Sequence, residues 1–256
     1  EKGYLTARIT AIADGGHSSA PPRDSATVRL SRALIALDEN QMPADLAKAP
    51  TSDMMKVISA DLGFPARLAM GNQWLLGGLV ESQFSSSPQG NAMIRTTTAP
   101  TMLSGSAKEN VLAQRATAIV NFRIHPNNTV DEVMQHIRDV TADIEGIEVA
   151  PVADGIASEA SPVSATDNRA FGVLYAVAKE VGDGAPVAPG LVIGATDARY
   201  ASAITKDVYR FAPSLVGPAD LAGFHGTNER LSVENMGRLA RGYAQIVLAM
   251  DAPETN

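Results

Sequence analysis

Two of the four histidines lie in glycine-flanked loops, where their side chains could do chemistry. His17 follows Gly15-Gly16, and His225 precedes Gly226. Glycine lets the backbone approach a ligand closely, and the flanking elements hold the side chain in place. Histidine titrates near neutral pH and is a common metal ligand. From position alone, each of these two histidines is explained about equally well by a functional role and by a structural role in its loop.

The other two histidines are predicted to be surface residues. His136 lies off the apolar stripe of a predicted helix, and His125 follows a predicted strand just before Pro126. A lone histidine in such a place is more often a surface residue than a ligand. We therefore assign neither of them a role.

The composition excludes several other kinds of site. The 256 residues include no cysteine, so a thiolate zinc site and a cysteine nucleophile are impossible, and any metal must be held by His, Asp or Glu. The formal net charge of −7 argues against nucleic acid as a partner. No apolar run of about 18 residues predicts a membrane span. Familiar serine-hydrolase, zinc-helix and nucleotide-binding motifs are also missing from the sequence.

The elements that must position these loops begin with clear patterns. Apolar residues alternate over 4–12 and over 115–123, which predicts two half-buried strands. Thr129 and Glu132 form a capping box, which predicts a helix that runs to Gly146 with a buried stripe of Val133, Ile137, Val140 and Ile144.

The order of the predicted elements indicates a fold class. Asp24 or Ser25 caps a helix that ends near Asn40, residues 41–90 form a helical insertion, and strands lie within 91–104 and at 147–152. Within the insertion, helical stretches are predicted at 53–62 and 66–81. Strand, helix, insertion, strand, strand, helix, strand is the ferredoxin-like βαββαβ order, an antiparallel α+β sheet with two helices on one face. We take residues 1–153 as one domain.

The remaining residues, 154–256, read as part of an α/β domain. A helix is predicted at 166–181, short apolar strands at 191–193 and 208–211, and a final helix from Ser232 to about Met250. That last helix is expected to bury five apolar side chains: Val233, Met236, Leu239, Tyr243 and Val247.

Three segments together resemble a known family of zinc metallopeptidases. They are GGHSSAPP, KENVLAQRATAIVNFRIHP and GATDARYASAITKDVYRFAPSLVGPADLAGFHGTNERLSVENM. The set is similar to the family of Gly-Xaa carboxypeptidase (carboxypeptidase S), aminoacylase and succinyl-diaminopimelate desuccinylase, and most like its carboxypeptidase S branch. The resemblance implies a ferredoxin-like lid that also dimerises, followed by the second half of an α/β zinc-peptidase catalytic domain.

The resemblance implies roles for three residues of the lid. His17 is the catalytic histidine that reaches across the dimer and donates to the developing oxyanion of the substrate. Asn110 and Arg123, which are 13 positions apart in the family motif as here, bind substrate. Arg123 also lies off the apolar face of its strand, where a planar guanidinium suits a carboxylate, although a solvated strand residue is the alternative.

In the carboxy-terminal segment the resemblance implies a substrate pocket and a metal ligand. Gly194 and Thr196 line the pocket, and Arg199 binds the free carboxylate of the substrate. His225 is the last ligand of a two-zinc site. Glu229 is expected to support His225 from the same turn, although a histidine near a carboxylate is also a common surface pair.

The implied activity is a zinc-dependent cleavage of the amide bond in small N-acyl amino acids or dipeptides, by a homodimer. The other metal ligands and the general base of the family do not appear here, so the N-terminal metal-binding half is expected to lie outside this chain, which alone is expected to be inactive. The alternative is a non-catalytic ferredoxin-like dimerisation or binding module. Neither nucleic acid nor a membrane is an expected partner. The compartment is left open, although export is common among carboxypeptidase S relatives.

Overall fold

The computed structural model describes residues 1–153 and 155–253. Its largest feature is an antiparallel sheet in which β1 is central, β5 and β6 flank it, and β3 lies at the edge beside β5. A short strand also pairs with the beginning of β1. The strands of this sheet are β1 (Gly3–Ile12), β3 (Thr97–Ser104), β5 (Arg115–Ile124), β6 (Ile147–Pro151) and β7 (Ala157–Ser158). The strand order is the one that a ferredoxin-like βαββαβ chain produces.

One face of this sheet forms the main core. Every second residue of β1 from Leu5 to Ala11 is fully buried, and so are Val120 and Phe122 on β5. Two helices cover this face, α1 (Ala26–Glu39) and α6 (Val130–Thr141). The mixed α/β fold with an α+β sheet, predicted from strand alternation and helical periodicity, is confirmed.

The capping box at the start of α6 is present as predicted. The Thr129 hydroxyl accepts from the Glu132 amide at 3.2 Å, and the Glu132 carboxylate accepts from the Thr129 amide at 2.9 Å. The helix nevertheless ends at Thr141, earlier than predicted. Gly146 lies beyond it at φ +72°, in a turn where an added Cβ would meet the Ile12 carbonyl at 2.4 Å. Only glycine fits that turn, which places β6 against β1.

Residues 41–94 form a helical insertion with a small core of its own. Its helices are α2 (Thr51–Asp61), α3 (Phe64–Gly71), α4 (Gln73–Ser85) and α5 (Pro88–Ile94). The predicted helix over 66–81 is in fact two helices that meet at Asn72, and residues 91–94 are helical rather than extended. The core of the insertion contains Met54, Met55, Ala69, Val80 and Ile94.

The C-terminal region, 155–253, buries fewer of its apolar side chains than the N-terminal region does. Its helices are α7 (Arg169–Val181), α8 (Ala198–Ala201), α9 (Pro218–Gly223) and α10 (Val233–Asp251). The strands predicted at 191–193 and 208–211 are wrong, because neither segment pairs with a strand within the described residues. The predicted boundary residue Asp154 lies outside those residues.

The prediction that α10 buries its apolar stripe is also wrong. The helix begins after the Ser232 cap as predicted and packs against α7, with Gly242 set closely against Pro213. Val233, however, is 92% exposed and Val247 66% exposed, and Met236 and Tyr243 are exposed too, whereas Leu239 is half-buried. The periodicity correctly predicted a helix, but nothing in the described parts of the chain covers its apolar face.

Across residues 1–153 and 155–253, no helix combines the length and the apolar character that crossing a membrane requires.

Candidate functional site

His17 and Asn110 are neighbours at one end of the main sheet. The two-residue strands β2 (Gly16–His17) and β4 (Val111–Leu112) pair there, and the Ser18 amide donates to the Asn110 carbonyl at 3.1 Å. The His17 ring is exposed, and its Nδ1 accepts from the Ser19 amide at 3.2 Å. In the neutral ring the proton therefore lies on Nε2, so Nε2 can donate to a ligand.

Arg123 lies at the opposite end of the same sheet. It pairs with Tyr4, and its guanidinium lies 4.5 Å from the centre of the Tyr4 ring, a cation–π contact. Arg115, eight positions earlier on β5, pairs with Ile12 beside the His17 loop. At the usual rise per strand residue, eight positions span about 27 Å. One small ligand cannot contact both His17 and Arg123 of the same protomer.

Thr196 is held by the carboxylate of Glu1. The Glu1 carboxylate accepts from the Thr196 amide at 3.0 Å, from its hydroxyl at 2.6 Å and from Arg210 Nε at 2.9 Å. The Glu1 side chain is only 2% exposed. Burial alone raises the pKa of this carboxyl, but the hydrogen bonds from Thr196 and Arg210 outweigh it, so the pKa is lowered. The Thr196 hydroxyl thus donates within the protein, which fixes the loop that leads into α8, the helix that carries Arg199.

Gly194 lies on that loop, and Arg199 lies in the short helix α8 that follows it. Arg199 donates to the Tyr200 hydroxyl at 3.0 Å and stacks on its ring at 4.9 Å. Arg199 lines an open cavity of about 490 Å³ together with Glu1 and Lys2, which precede β1. A Cβ added at Gly194 meets nothing within 4 Å, so backbone crowding does not explain the glycine.

His225 contacts Glu229 through its backbone rather than its ring. The His225 amide donates to the Glu229 carboxylate at 3.1 Å, and this residue adopts φ +58°. Its side chain is exposed. The described residues contain no group of three or more His, Asp or Glu side chains that could hold a metal ion. The residues present therefore fit a single ligand of a metal site rather than a complete one.

The sequence analysis missed a buried cluster where the sheet meets the insertion. Lys2, 2% exposed, donates to the carbonyls of Ala92 and Arg95 at 3.0 and 2.8 Å, which completes the end of α5. Burial first, and then the charge of Arg123, lower the pKa of Lys2 to about 7. In the sequence, Lys2 is a charged residue just before an alternating strand, and that pattern does not predict burial.

The prediction that His125 is a surface residue is wrong. Its side chain is 1% exposed, and its Nδ1 accepts from the Asn127 amide at 3.3 Å. Burial, with a contribution from the charge of Lys2, lowers the pKa of His125 to about 4, so the ring is neutral at physiological pH. His136, in contrast, is exposed as predicted, with Nε2 2.7 Å from the Asn40 carbonyl.

A second cavity, of about 400 Å³, lies between α7 and the segment predicted as a strand over 208–211. Apolar side chains such as Phe171, Leu174 and Phe211 line it, and Glu1 and Arg210 reach its edge. The segments at 191–193 and 208–211, which have strand-like sequences, therefore border open space.

Comparison with known proteins identifies relatives of the whole chain. A family model described as the M20 peptidase dimerisation domain matches residues 1–146. The N-fatty-acyl-amino acid synthase/hydrolase PM20D1 of Xenopus tropicalis is 35% identical over 252 residues, which cover 98% of this chain and 48% of that protein. The probable carboxypeptidase S-like 2 of Dictyostelium discoideum is 30% identical over 96% of this chain and 47% of that protein. The chain spans about half the length of these curated relatives.

A solved structure with the same fold supports these matches. The M20 family metallo-carboxypeptidase Sso-CP2 from Sulfolobus solfataricus superimposes with a TM-score of 0.56 at 17% sequence identity. The superposition covers 96% of this chain and 58% of that one. At this identity the likeness shows the fold alone, and it extends beyond the sheet into the C-terminal region.

Proposed function

The chain belongs to the peptidase dimerisation family of M20 hydrolases, and on that premise we propose that it supplies the lid, the carboxylate-binding arginines and one zinc ligand of a metallohydrolase. The proposed reaction is cleavage of the amide bond in small N-acyl amino acids or dipeptides that carry a free carboxylate. Residues 1–153 form the lid and dimerisation domain, and 154–256 form part of the catalytic domain.

The separation of His17 from Arg123 is the observation that carries this proposal. His17 follows the end of β1 next to Arg115, and Arg115 lies about 27 Å along β5 from Arg123, so His17 and Arg123 can act on one small substrate only if different protomers supply them. In a two-fold symmetric dimer each protomer would give His17 and Asn110 to the partner's site. Exposed His17 Nε2 then donates to the carbonyl oxygen of the substrate as negative charge develops there.

Arg123 and Arg199 are proposed to bind the substrate carboxylate at the other end of the sheet. Arg123 is oriented by the Tyr4 ring, and Arg199 by Tyr200. Two guanidinium groups with partly exposed faces suit a carboxylate, since each can donate two parallel hydrogen bonds. By accepting a hydrogen bond from Thr196, Glu1 keeps the segment that leads to Arg199 close to the beginning of β1.

His225 is proposed as a zinc ligand, with the other ligands and the general base supplied by residues outside this chain. When bound, zinc supplies a Lewis acid for the amide carbonyl and lowers the pKa of water. The positive φ of His225 turns the backbone so that the side chain projects from the loop, and the Glu229 carboxylate fixes that turn through the amide. This chain alone therefore stays inactive.

Metal content and turnover of the complete hydrolase test these assignments separately. The complete hydrolase is this chain together with the residues that supply the remaining ligands. His225→Ala should deplete zinc, whereas His17→Ala should leave zinc unchanged and lower turnover by about 10²-fold or more. Glu229→Gln should retain zinc because it acts on the backbone.

Two results would contradict the proposal. Loss of zinc in the His17→Ala protein would show that His17 is a ligand instead of an oxyanion donor. A complete protein that dimerises but holds no zinc and cleaves no N-acyl amino acid would favour the alternative, a non-catalytic dimerisation module.

A further inference from the structure

Lys2 is a buried lysine at the end of the main sheet that carries Arg123, and the function proposed above does not use it. Its ammonium donates to the carbonyls of Ala92 and Arg95, which hold the side chain in place away from solvent. A lysine is rarely buried in this way without a carboxylate partner. Lys2 is therefore a fixed group whose charge is costly unless an anion comes near it.

The register of the sheet places Lys2 beside Arg123. Tyr4 on β1 is opposite Arg123 on β5, and Lys2 lies two positions before Tyr4. Residues two apart along a strand point to the same side, so Lys2 and Arg123 are diagonal neighbours on one side of the sheet. The Cβ atoms of such neighbours are about 7–8 Å apart, within reach of long side chains. Two cationic side chains thus lie close together.

No carboxylate within residues 1–153 and 155–253 forms an ion pair with Lys2 or Arg123. Arg123 contacts the Tyr4 ring instead. The acidic side chains on the neighbouring segments bind other groups or are exposed: Asp45 binds Asn127 and Lys48, Glu81 binds Arg95, Glu1 binds Arg210, Glu159 binds the Val130 amide, and Asp197 is exposed. The ring of His125, with its pKa lowered to about 4, adds no charge at neutral pH.

The charge of Lys2 is therefore sensitive to what Arg123 binds. Burial, and then the charge of Arg123, lower the pKa of Lys2 to about 7, so near neutral pH only part of the population is protonated. A carboxylate bound to Arg123 would offset the positive charge that disfavours the ammonium. By linkage, the proton on Lys2 must then strengthen carboxylate binding by the same factor.

We propose that Lys2 is a proton-linked positioning residue of the carboxylate site: a substrate carboxylate on Arg123 favours the charged form of Lys2, and that form in turn strengthens carboxylate binding. Lys2 acts through its charge and does not contact the substrate. This inference rests on the carboxylate site of the proposed function. Below pH 7 Lys2 is charged with or without substrate, so affinity is constant there; above pH 7 binding requires proton uptake, and affinity falls.

The Michaelis constant of the complete hydrolase for N-acetyl-leucine, measured from pH 6 to pH 9, tests the linkage. In the parent protein KM should be constant up to pH 7 and then rise about ten-fold by pH 9, the factor that corresponds to one pKa unit. Lys2→Met removes the charge and should show the high KM at every pH. Lys2→Arg keeps a permanent charge and should show the low KM at every pH. At each pH, kcat should agree within about two-fold among the three proteins, because Lys2 acts on binding.

A matched control is Lys56→Met, which removes a lysine of the insertion whose side chain is 74% exposed. Its KM should follow the parent at every pH. Other titrating groups of the complete site affect the parent and this control alike, so the difference from the Lys2 variants is what is measured. Far-UV circular dichroism checks that each variant is folded.

A titration of the lysine side chains tests the coupling without turnover. In the 256-residue chain with ¹³C-labelled lysine, the Lys2 signal is the one that Lys2→Met removes, and it should titrate near pH 7. Arg123→Gln removes the neighbouring charge and should move this midpoint to higher pH.

Three outcomes overturn the proposal. The first is a parent KM that depends on pH in the same way as that of Lys2→Met. The second is a Lys2 midpoint that Arg123→Gln leaves unchanged. The third is a loss of kcat in Lys2→Met that Lys2→Arg does not restore, which would assign Lys2 a purely structural role. A complete protein that cleaves no N-acyl amino acid would instead contradict the proposed function, and the lysine titration would still decide whether Lys2 and Arg123 are coupled.

Discussion

The sheet of the N-terminal region and the helix α10 of the C-terminal region differ in how far their apolar faces are covered. In residues 1–153 the sheet is covered by α1 and α6, and every apolar side chain of the central strand that faces them is fully buried. In residues 155–253, α10 leaves Val233 and Val247 largely exposed, and two strand-like segments border an open cavity. The sheet and its two helices therefore enclose a core of their own, whereas the apolar face of α10 is uncovered within the described residues.

Substitutions in the two regions should show this difference most strongly. Phe122→Ala removes a fully buried ring from the sheet core and should lower the free energy of unfolding by about 4 kcal/mol. Leu248→Ala, on the exposed face of α10, should change it by less than about 0.5 kcal/mol. Urea unfolding followed by circular dichroism measures both. Similar losses for the two variants would show that α10 is covered in solution.

The stability of the N-terminal region should also depend on pH through His125. Its pKa is lowered from 6.5 to about 4, so the unfolded chain binds the proton more tightly than the folded one. This contribution is complete above pH 6.5 and is lost as the pH falls toward 4, by about 3 kcal/mol in total. Lys2, whose pKa is lowered to about 7, is mostly protonated across this window, and its charge is part of what lowers the pKa of His125.

Replacing each of two histidines separates this effect from general acid sensitivity. His125→Gln should flatten the dependence of unfolding free energy on pH between 6.5 and 4. His136→Gln, which changes an exposed ring, should keep the slope of the parent. An unchanged slope in the His125→Gln chain would mean that the buried ring is not the titrating group.

The contact between the two regions should respond to Glu1. Glu1→Gln keeps the shape of the side chain but removes the charge that Arg210 and Thr196 bind, and it should cost about 2 kcal/mol. Glu234→Gln is the matched control, since Glu234 also pairs with an arginine, Arg238, but is itself 75% exposed. That control should cost less than about 0.5 kcal/mol. Equal costs would indicate that the Glu1 contact does not join the regions.

Local patterns were enough to predict the two central strands and the start of α6. Alternation over 4–12 and 115–123 located the two central strands, and the Thr129 capping box located α6, because these signals depend on neighbours in the sequence. The burial of His125 escaped prediction because it depends on the insertion, whose Thr51 comes within 3.4 Å of the ring across 74 positions of sequence.

Prediction was weaker where an element needs a partner from elsewhere. The segments 191–193 and 208–211 have strand composition, but a strand forms only beside another strand. The prediction that the apolar stripe of α10 is buried failed for the same reason, because burial also needs a partner from elsewhere in the fold. Of the candidate site, the two loop histidines were suggested by their position and the arginines by the family resemblance, and their roles stay predictions. Glu1 and Arg210 emerged only from the folded contacts.

Mixing of variant subunits tests the central claim most directly, namely that one sheet serves two active sites. In the complete hydrolase, His17→Ala and His225→Ala homodimers should each retain about 1% of the parent activity or less. After exchange of subunits, a mixed dimer contains one site with an intact His225 from one protomer and an intact His17 from its partner. We predict that the mixture recovers about a quarter of the parent activity toward an N-acyl amino acid. No recovery, with subunit exchange verified by mass spectrometry, would contradict the account, because His17 would then act within its own protomer.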